Sequence, residues 1–296
     1  MKHSEVLNRY VNTGSILPEK QYGRLTPVLK KSYLRMRGVA GNYFEWEFKI
    51  ISDDERIKFI EKKGKKLDGN EIYYLLELSQ RKDDIATKII EKKGEGLTEN
   101  DVKILLKYSV NKDDIISKIF QIRGNKIQEG DMEHLLEYSS NKNLMATKII
   151  QIKGEELNFK DIDILVYYSE NKYEISTKII QIKGEKLNVN DIGSLINKNI
   201  LNNDLNIINY NILKIIEAKG EKLTDREIYI LIIRSDKREL IKKTLLQNGI
   251  NYKLINDVIN RYNENNGLKN GLKIPLIPDN YQSMLNEIKR IKEIMI

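Results

Sequence analysis

Residues 83–112, DDIATKIIEKKGEGLTENDVKILLKYSVNK, are one copy of a repeat that runs through most of the chain. A basic residue followed by glycine marks each copy: Lys63-Gly64, Lys93-Gly94, Arg123-Gly124, Lys153-Gly154 and Lys183-Gly184, at 30-residue spacing. After a slip of six residues the pair returns at Lys219-Gly220, and a degenerate seventh copy is read as ending at Gly249. Self-similarity at a fixed period is the signature of a stacked repeat architecture.

Each copy predicts two short helices. In IATKIIEKK, Ile85, Ile89 and Ile90 form a narrow apolar stripe. The glycine that follows suits a helix stop with φ > 0, and the basic residue before it suits the negative end of the helix dipole. Then Leu97 precedes Thr98 as N-cap, with Asp101 at N3 and Val102 at N4, a capping box with a hydrophobic staple. The staple recurs as Leu67/Ile72, Ile127/Met132, Leu157/Ile162, Leu187/Ile192 and Leu223/Ile228. The second helix, DVKILLKYS, buries Leu105 and Leu106. Helices of about ten residues are marginal alone, so the hairpins must stack and share one apolar seam. The expected fold is all-α: an α-solenoid of six to seven hairpins.

Three regions follow. Residues 51–249 are the repeat array, irregular at 196–211 (INKNILNNDLNIINYN), where a kink or extended loop is expected as a partner site or a tolerated insertion. Residues 1–50 read as a helical N-terminal cap with helices near 4–12, 18–24 and 27–37, and GNYFEWEFKI, holding the only tryptophan, Trp46, packs it on the first hairpin. Residues 250–296 read as a Gly/Pro/Asn loop at 263–279 and an amphipathic helix near 280–296. That helix either caps the last hairpin or mediates oligomerisation.

The 296 residues include 51 basic and 43 acidic side chains, for a net charge of +8. The charge sits at the ends: the cap has nine basic and four acidic groups, and residues 250–296 have seven and five. With no cysteine and two histidines, thiolate metal sites, disulfides and multi-histidine metal centres are excluded. No apolar run reaches membrane-spanning length, and MKHSEVLNRY has no signal-peptide core. The expectation is therefore a cytoplasmic chain with no membrane, metal or cofactor. Abundant Lys, Ile and Asn suggest an AT-rich microbial, phage or viral genome.

Phosphate loops, GxSxG elbows, HExxH and dinucleotide fingerprints are missing, so no catalytic residue is assigned and a non-enzymatic role is expected. His134 reads as a packing variant. The serine column Ser79, Ser109, Ser139, Ser169 and Ser235 lacks an activating partner and reads as satisfying helix-end backbone groups. Three basic series run through the array: Lys58 to Lys214 within the first helix, the residue before each glycine, and the loop series Lys82, Lys112, Lys142, Lys172 and Arg238. They either track a polyanion or are neutralised by neighbouring carboxylates, with their stems covering the seam. Two columns of the second helix vary while the frame stays constant. One holds Tyr73, Lys103, Glu133, Asp163 and Tyr229, the other Lys107 and Tyr167. If the second helices line a concave side, these side chains meet a partner. In the cap, Lys30, Lys31, Arg35 and Arg37 form a basic arc suited to a nucleic-acid backbone.

The L-T-x-x-D-V motif at 97–102, with Ser109 and then a helix ending at Gly124, loosely resembles the DNA-reading repeats of TAL effectors. There a two-helix unit presents a variable pair in its inter-helix loop; here the matching loop carries a repeated Tyr-Ser. More generally, the chain resembles the helical-hairpin solenoids, such as HEAT and tetratricopeptide arrays. That resemblance implies a pre-formed surface for a macromolecular partner. The leading expectation is a non-catalytic scaffold or adaptor for a protein or peptide. The alternatives are a nucleic-acid binder anchored by the cap and a structural subunit of a larger assembly.

Overall fold

The computed structural model describes residues 51–270. The expected cap helices with Trp46, Lys30, Lys31, Arg35 and Arg37, and the helix near 280–296 proposed to oligomerise, lie outside the described residues. The described chain divides between Ser140 and Asn141 into two compact units. In the first unit three hairpins follow one another: α1 (Asp53–Lys63) with α2 (Gly69–Glu77), α3 (Lys82–Lys93) with α4 (Glu99–Tyr108), and α5 (Lys112–Arg123) with α6 (Glu129–Tyr138). The second unit holds α7 (Lys142–Lys153) with α8 (Phe159–Tyr168), α9 (Lys172–Lys183) with α10 (Val189–Leu195), α11 (Leu205–Lys219) with α12 (Asp225–Arg234), and α13 (Arg238–Gln247) with α14 (Tyr252–Asn270). Among the described residues there is no strand.

Within each unit the first helices pack on one another in chain order, and so do the second helices. The result is the two-layer hairpin stack of an α-solenoid. The reasons are local and repeat from copy to copy. Gly94 adopts φ 52° and ψ −129°, the first central position of a type II′ turn, which favours glycine. It opens a 3-10 turn, Gly94–Gly96, that brings Leu97 back under the hairpin. Thr98 then caps α4, its hydroxyl accepting from the Asp101 N–H while the Asp101 carboxylate accepts from the Thr98 N–H at 2.8 Å. The same reciprocal box opens α2, α6, α8, α10 and α12. Aspartate is therefore long enough for the role. The seam between the layers is apolar, with Ile85, Ile89, Val102, Leu105 and Leu106 fully buried.

The structure corrects the reading of the C-terminal region. The seventh copy does not end at Gly249, because α14 supplies its second helix and packs on α12. The stretch expected as a loop from 263 is helical through Asn270. Six asparagines and Gly267 made this segment a poor helix by propensity. Ile255, Val258 and Ile259 nevertheless lie on one face and are buried, and that packing outweighs propensity.

The break at 196–211 is present as a loop, Ile196–Asp204. Here α10 is three residues shorter than α4, α6 and α8, while α11 is three longer than the usual first helix. Asn202 and Asn203 turn the loop at φ 54° and 59°, a region asparagine tolerates better than most residues. The buried Asn211 amide donates to the Leu195 carbonyl at 2.7 Å, satisfying the truncated end of α10.

The two glycines of one turn separate backbone strain from space. A Cβ at either would have no atom within 4 Å, and Gly94 alone has positive φ. Gly94→Ala is expected to cost about 1–3 kcal/mol, whereas Gly96→Ala leaves stability unchanged or raises it by up to about 1 kcal/mol. Urea denaturation of the two variants checks this.

Candidate functional site

The basic residue before each glycine is an internal clamp. The Lys93 ammonium donates to the Leu67 carbonyl of the preceding hairpin at 2.6 Å and pairs with Asp101 of its own hairpin at 2.9 Å. Both side chains are almost wholly buried. Arg123 joins Leu97 to Asp131, Lys183 joins Leu157 to Asp191, and Lys219 joins Leu187 to Glu227 in the same way. Lys153 pairs with Asp161 at 2.8 Å, and Lys63 pairs with Glu71. Each carboxylate is also the N3 residue of a capping box, so one buried anion receives both a cap N–H and a cation. Sharing partners in this way is what makes a buried ion pair tolerable, although Arg123 Nε and Asp191 Oδ1 are buried without a hydrogen-bond partner.

A second device ties each loop to the hairpin before it. Asp53 accepts from the N–H groups of Gln80 and Arg81, Asp83 from Val110 and Asn111, and Asp113 from Ser140. In the second unit Asn143 does the same for Glu170 and Asn171. Burial alone would raise the Asp53 carboxyl, but the Ser79 hydroxyl, the Arg56 guanidinium and the Arg81 N–H outweigh it and hold it below the usual range. The Ser140 hydroxyl and N–H hold Asp113 below it too.

The other lysines of the first helix are partly engaged. Lys118 and Lys178 reach the Thr87 and Thr147 hydroxyls of the preceding helices at 3.0 and 2.9 Å, and Lys88 pairs with Glu61 at 3.2 Å. Lys58 and Lys148 stay exposed. In the loop series, Lys112 stands 4.7 Å from the Tyr138 ring, and Lys172 donates to the Val166 and Tyr167 carbonyls that end α8. The serines close helices as expected: the Ser109 hydroxyl donates to the Leu105 carbonyl at 2.6 Å.

What the frame leaves outside is the variable face of the second helices. Lys103, Lys107 and Glu133 are exposed, and among the described residues no ion pair engages them. Tyr73 is half-buried, its hydroxyl donating to Glu77 at 2.6 Å and its ring edge-on to Tyr108 at 5.4 Å. In the second unit Tyr167 is 62% exposed. Tyr229 lines a cleft of about 240 Å³ between α12 and α14, with Asp225, Arg226, Val258 and Arg261. Asp163 behaves differently: it is only half-exposed, and burial pushes its carboxyl up against the opposing Ser194 hydroxyl. The structure thus brings Tyr73, Lys103, Lys107 and Glu133 onto one layer of the first unit, and Tyr167, Asp163 and Tyr229 onto the corresponding layer of the second.

His134 is buried, 4.0 Å from Glu99 and 3.8 Å from Glu137. Among the described residues no group of three or more His, Cys, Asp or Glu could hold a metal ion, and no described helix is long and apolar enough to cross a membrane. A larger groove, which the variable columns do not mark, opens on the first-helix layer between α9 and α11. The signal that could have found it is the interruption of the repeat that follows α10. Compared with models of protein families, with curated proteins and with solved structures, the chain matches none of them.

Removing one partner of a buried clamp strands the other. Lys93→Met is expected to cost about 3–5 kcal/mol. A double-mutant cycle with Asp101→Asn, followed by urea denaturation, should return a coupling energy of about 1–3 kcal/mol.

The loop clamps fix a pH dependence. A depressed folded pKa contributes stability that is present above the unfolded value, near 4, and is lost as pH falls through the folded value. The urea midpoint should therefore drop as the pH falls below about 4. Asp113→Asn, which reproduces the acceptor of Asn143, should keep the neutral-pH midpoint and flatten its share of the acid loss.

Proposed function

We propose that the protein is a non-catalytic scaffold that binds a protein or peptide partner on the exposed face of its second helices. One observation supports this above the rest. The recurring clamp cations, cap carboxylates and loop acceptors are committed to holding the copies together, while Lys103, Lys107 and Glu133 change from copy to copy and hold no other copy in place. A face that alternates in charge over a rigid frame discriminates partners by electrostatic pattern. A frame already ordered loses little entropy on binding. The clamped bases also weaken the polyanion reading of the array, since their charges are neutralised in place. On this reading the chain is soluble and cytoplasmic.

The test is selection of displayed peptides on the full chain, followed by fluorescence anisotropy of the selected peptides. Reversing the charges with Lys103→Glu, Lys107→Glu and Glu133→Lys together should weaken the selected peptides by about tenfold or more. Labelled single- and double-stranded DNA and RNA, titrated at two salt concentrations, form the competing arm. Sub-micromolar, steeply salt-dependent nucleic-acid binding with no peptide selected by the face would sink the proposal in favour of a nucleic-acid binder.

A further inference from the structure

The repeat breaks its own rules at one place, between α9 and α11. In the column of loop acceptors Asp53, Asp83, Asp113, Asn143 and Asn209, the α9 copy has Tyr173. The loop it would have clamped is the rebuilt Ile196–Asp204 segment. Tyr173 instead packs its ring on Tyr210 of α11, with centroids 4.0 Å apart. The Thr177 hydroxyl donates to the Tyr173 carbonyl at 2.8 Å, and among the described residues no lysine bridges it as Lys118 and Lys178 bridge Thr87 and Thr147. Lys214 turns to Glu217 at 2.6 Å instead. Finally, Ala218 stands where the three preceding copies have Ile122, Ile152 and Ile182. A groove of about 510 Å³ lies here, its apolar lining Ile180 and Ala218 beside Thr177 and Tyr210, with Lys214, Glu185 and Glu217 as its charged lining.

The same layer carries an apolar stripe. Leu144, Tyr173 and Leu240, in the first turns of α7, α9 and α13, are 52%, 45% and 44% exposed. The corresponding first turns of α3 and α5 in the first unit carry pairs of aspartates, Asp83 with Asp84 and Asp113 with Asp114. The charge changes with them. With the clamp cations left out, the first helices of the first unit hold eight basic and nine acidic residues, and those of the second unit hold eight basic and three acidic.

From this we infer that the first-helix layer of the second unit docks an acidic peptide bearing aliphatic side chains, one of which enters the groove beside Ala218. The excess of lysine and arginine selects acidic partners, while Leu144, Leu240 and the groove select aliphatic side chains. The space beside Ala218 suits an aliphatic side chain such as the isoleucine that the three preceding copies place there. Nucleic acid fits less well. Leucines offer no stacking platform, and the Tyr173 and Tyr210 rings already lie against each other.

The probe is a short labelled peptide with glutamates and leucines at helical spacing, titrated into the full chain by fluorescence anisotropy. Its counterparts carry glutamine for glutamate or serine for leucine, and a single-stranded RNA of equal length is run beside them. Ala218→Ile, which restores the residue of the three preceding copies, and the surface changes Leu144→Asp and Leu240→Asp are each expected to weaken the glutamate–leucine peptide by about tenfold. The Ala218→Ile chain should keep its thermal midpoint, and the second-helix charge reversals should leave this peptide's binding unchanged. The inference is overturned if the serine peptide binds as well as the leucine peptide, if the three variants bind as the native chain does, or if RNA binds more tightly and is lost in the same variants.

Discussion

The fold depends on a buried cation shared between hairpins. One lysine or arginine ends a first helix, neutralises the carboxylate that caps its own second helix, and satisfies a carbonyl of the hairpin before it. Each of these groups would be costly to bury alone. A lone carboxylate or ammonium out of water costs several kcal/mol, and the pair is tolerated only when its remaining hydrogen-bonding capacity is filled. Here the capping box supplies a donor to the carboxylate and the foreign carbonyl supplies an acceptor to the lysine. Local capping and inter-hairpin stacking are thus one interaction, and a hairpin that caps itself correctly presents the donor its neighbour requires. The requirement also explains why Arg123 can stand in for lysine, since either supplies a cation with several donors at that reach.

A chain built this way places its charge differently from what the composition suggests. The net +8 reads as a surface property, yet much of the repeated lysine is internal. The loop acceptors Asp53, Asp83 and Asp113 act at the opposite end of each hairpin, holding the next loop by its backbone. With both ends of a hairpin tied to the previous one, nearest-neighbour coupling is strong, and stability accumulates along the stack rather than residing in any one copy.

Much of this was legible in the sequence, because the deciding signals are local. The 30-residue period, the Thr98–Asp101 box and the Leu97/Val102 staple each follow from short-range geometry, and the helices begin and end where those residues stand. The clamp was not legible in the same way. A lysine ladder looks alike whether it faces water or a carboxylate, and only the fold places Lys93 against Leu67, 26 residues away. Helix α14 was hidden for the converse reason: its asparagines argue locally for a loop, and its stability comes from Ile255, Val258 and Ile259 packing on α12. At the candidate site, copy-to-copy variability located an exposed face at Lys103, Lys107 and Glu133. It did not distinguish them from Asp163, whose carboxyl turns partly inward.

The irregularity at α9–α11 shows how tightly these constraints are linked. Six added residues rebuild one loop, so the α9 copy no longer needs an acceptor at its first turn, and tyrosine stands there. The tyrosine packs on Tyr210, and Lys214 pairs with Glu217 rather than bridging to Thr177. With alanine at 218 where the three preceding copies have isoleucine, the groove lies open between α9 and α11, with Lys214 in its lining. No single substitution in this series breaks the frame, because the Lys183 and Lys219 clamps on either side are intact. A solenoid can therefore change the surface of one hairpin extensively while the interaction that holds the stack together stays the same.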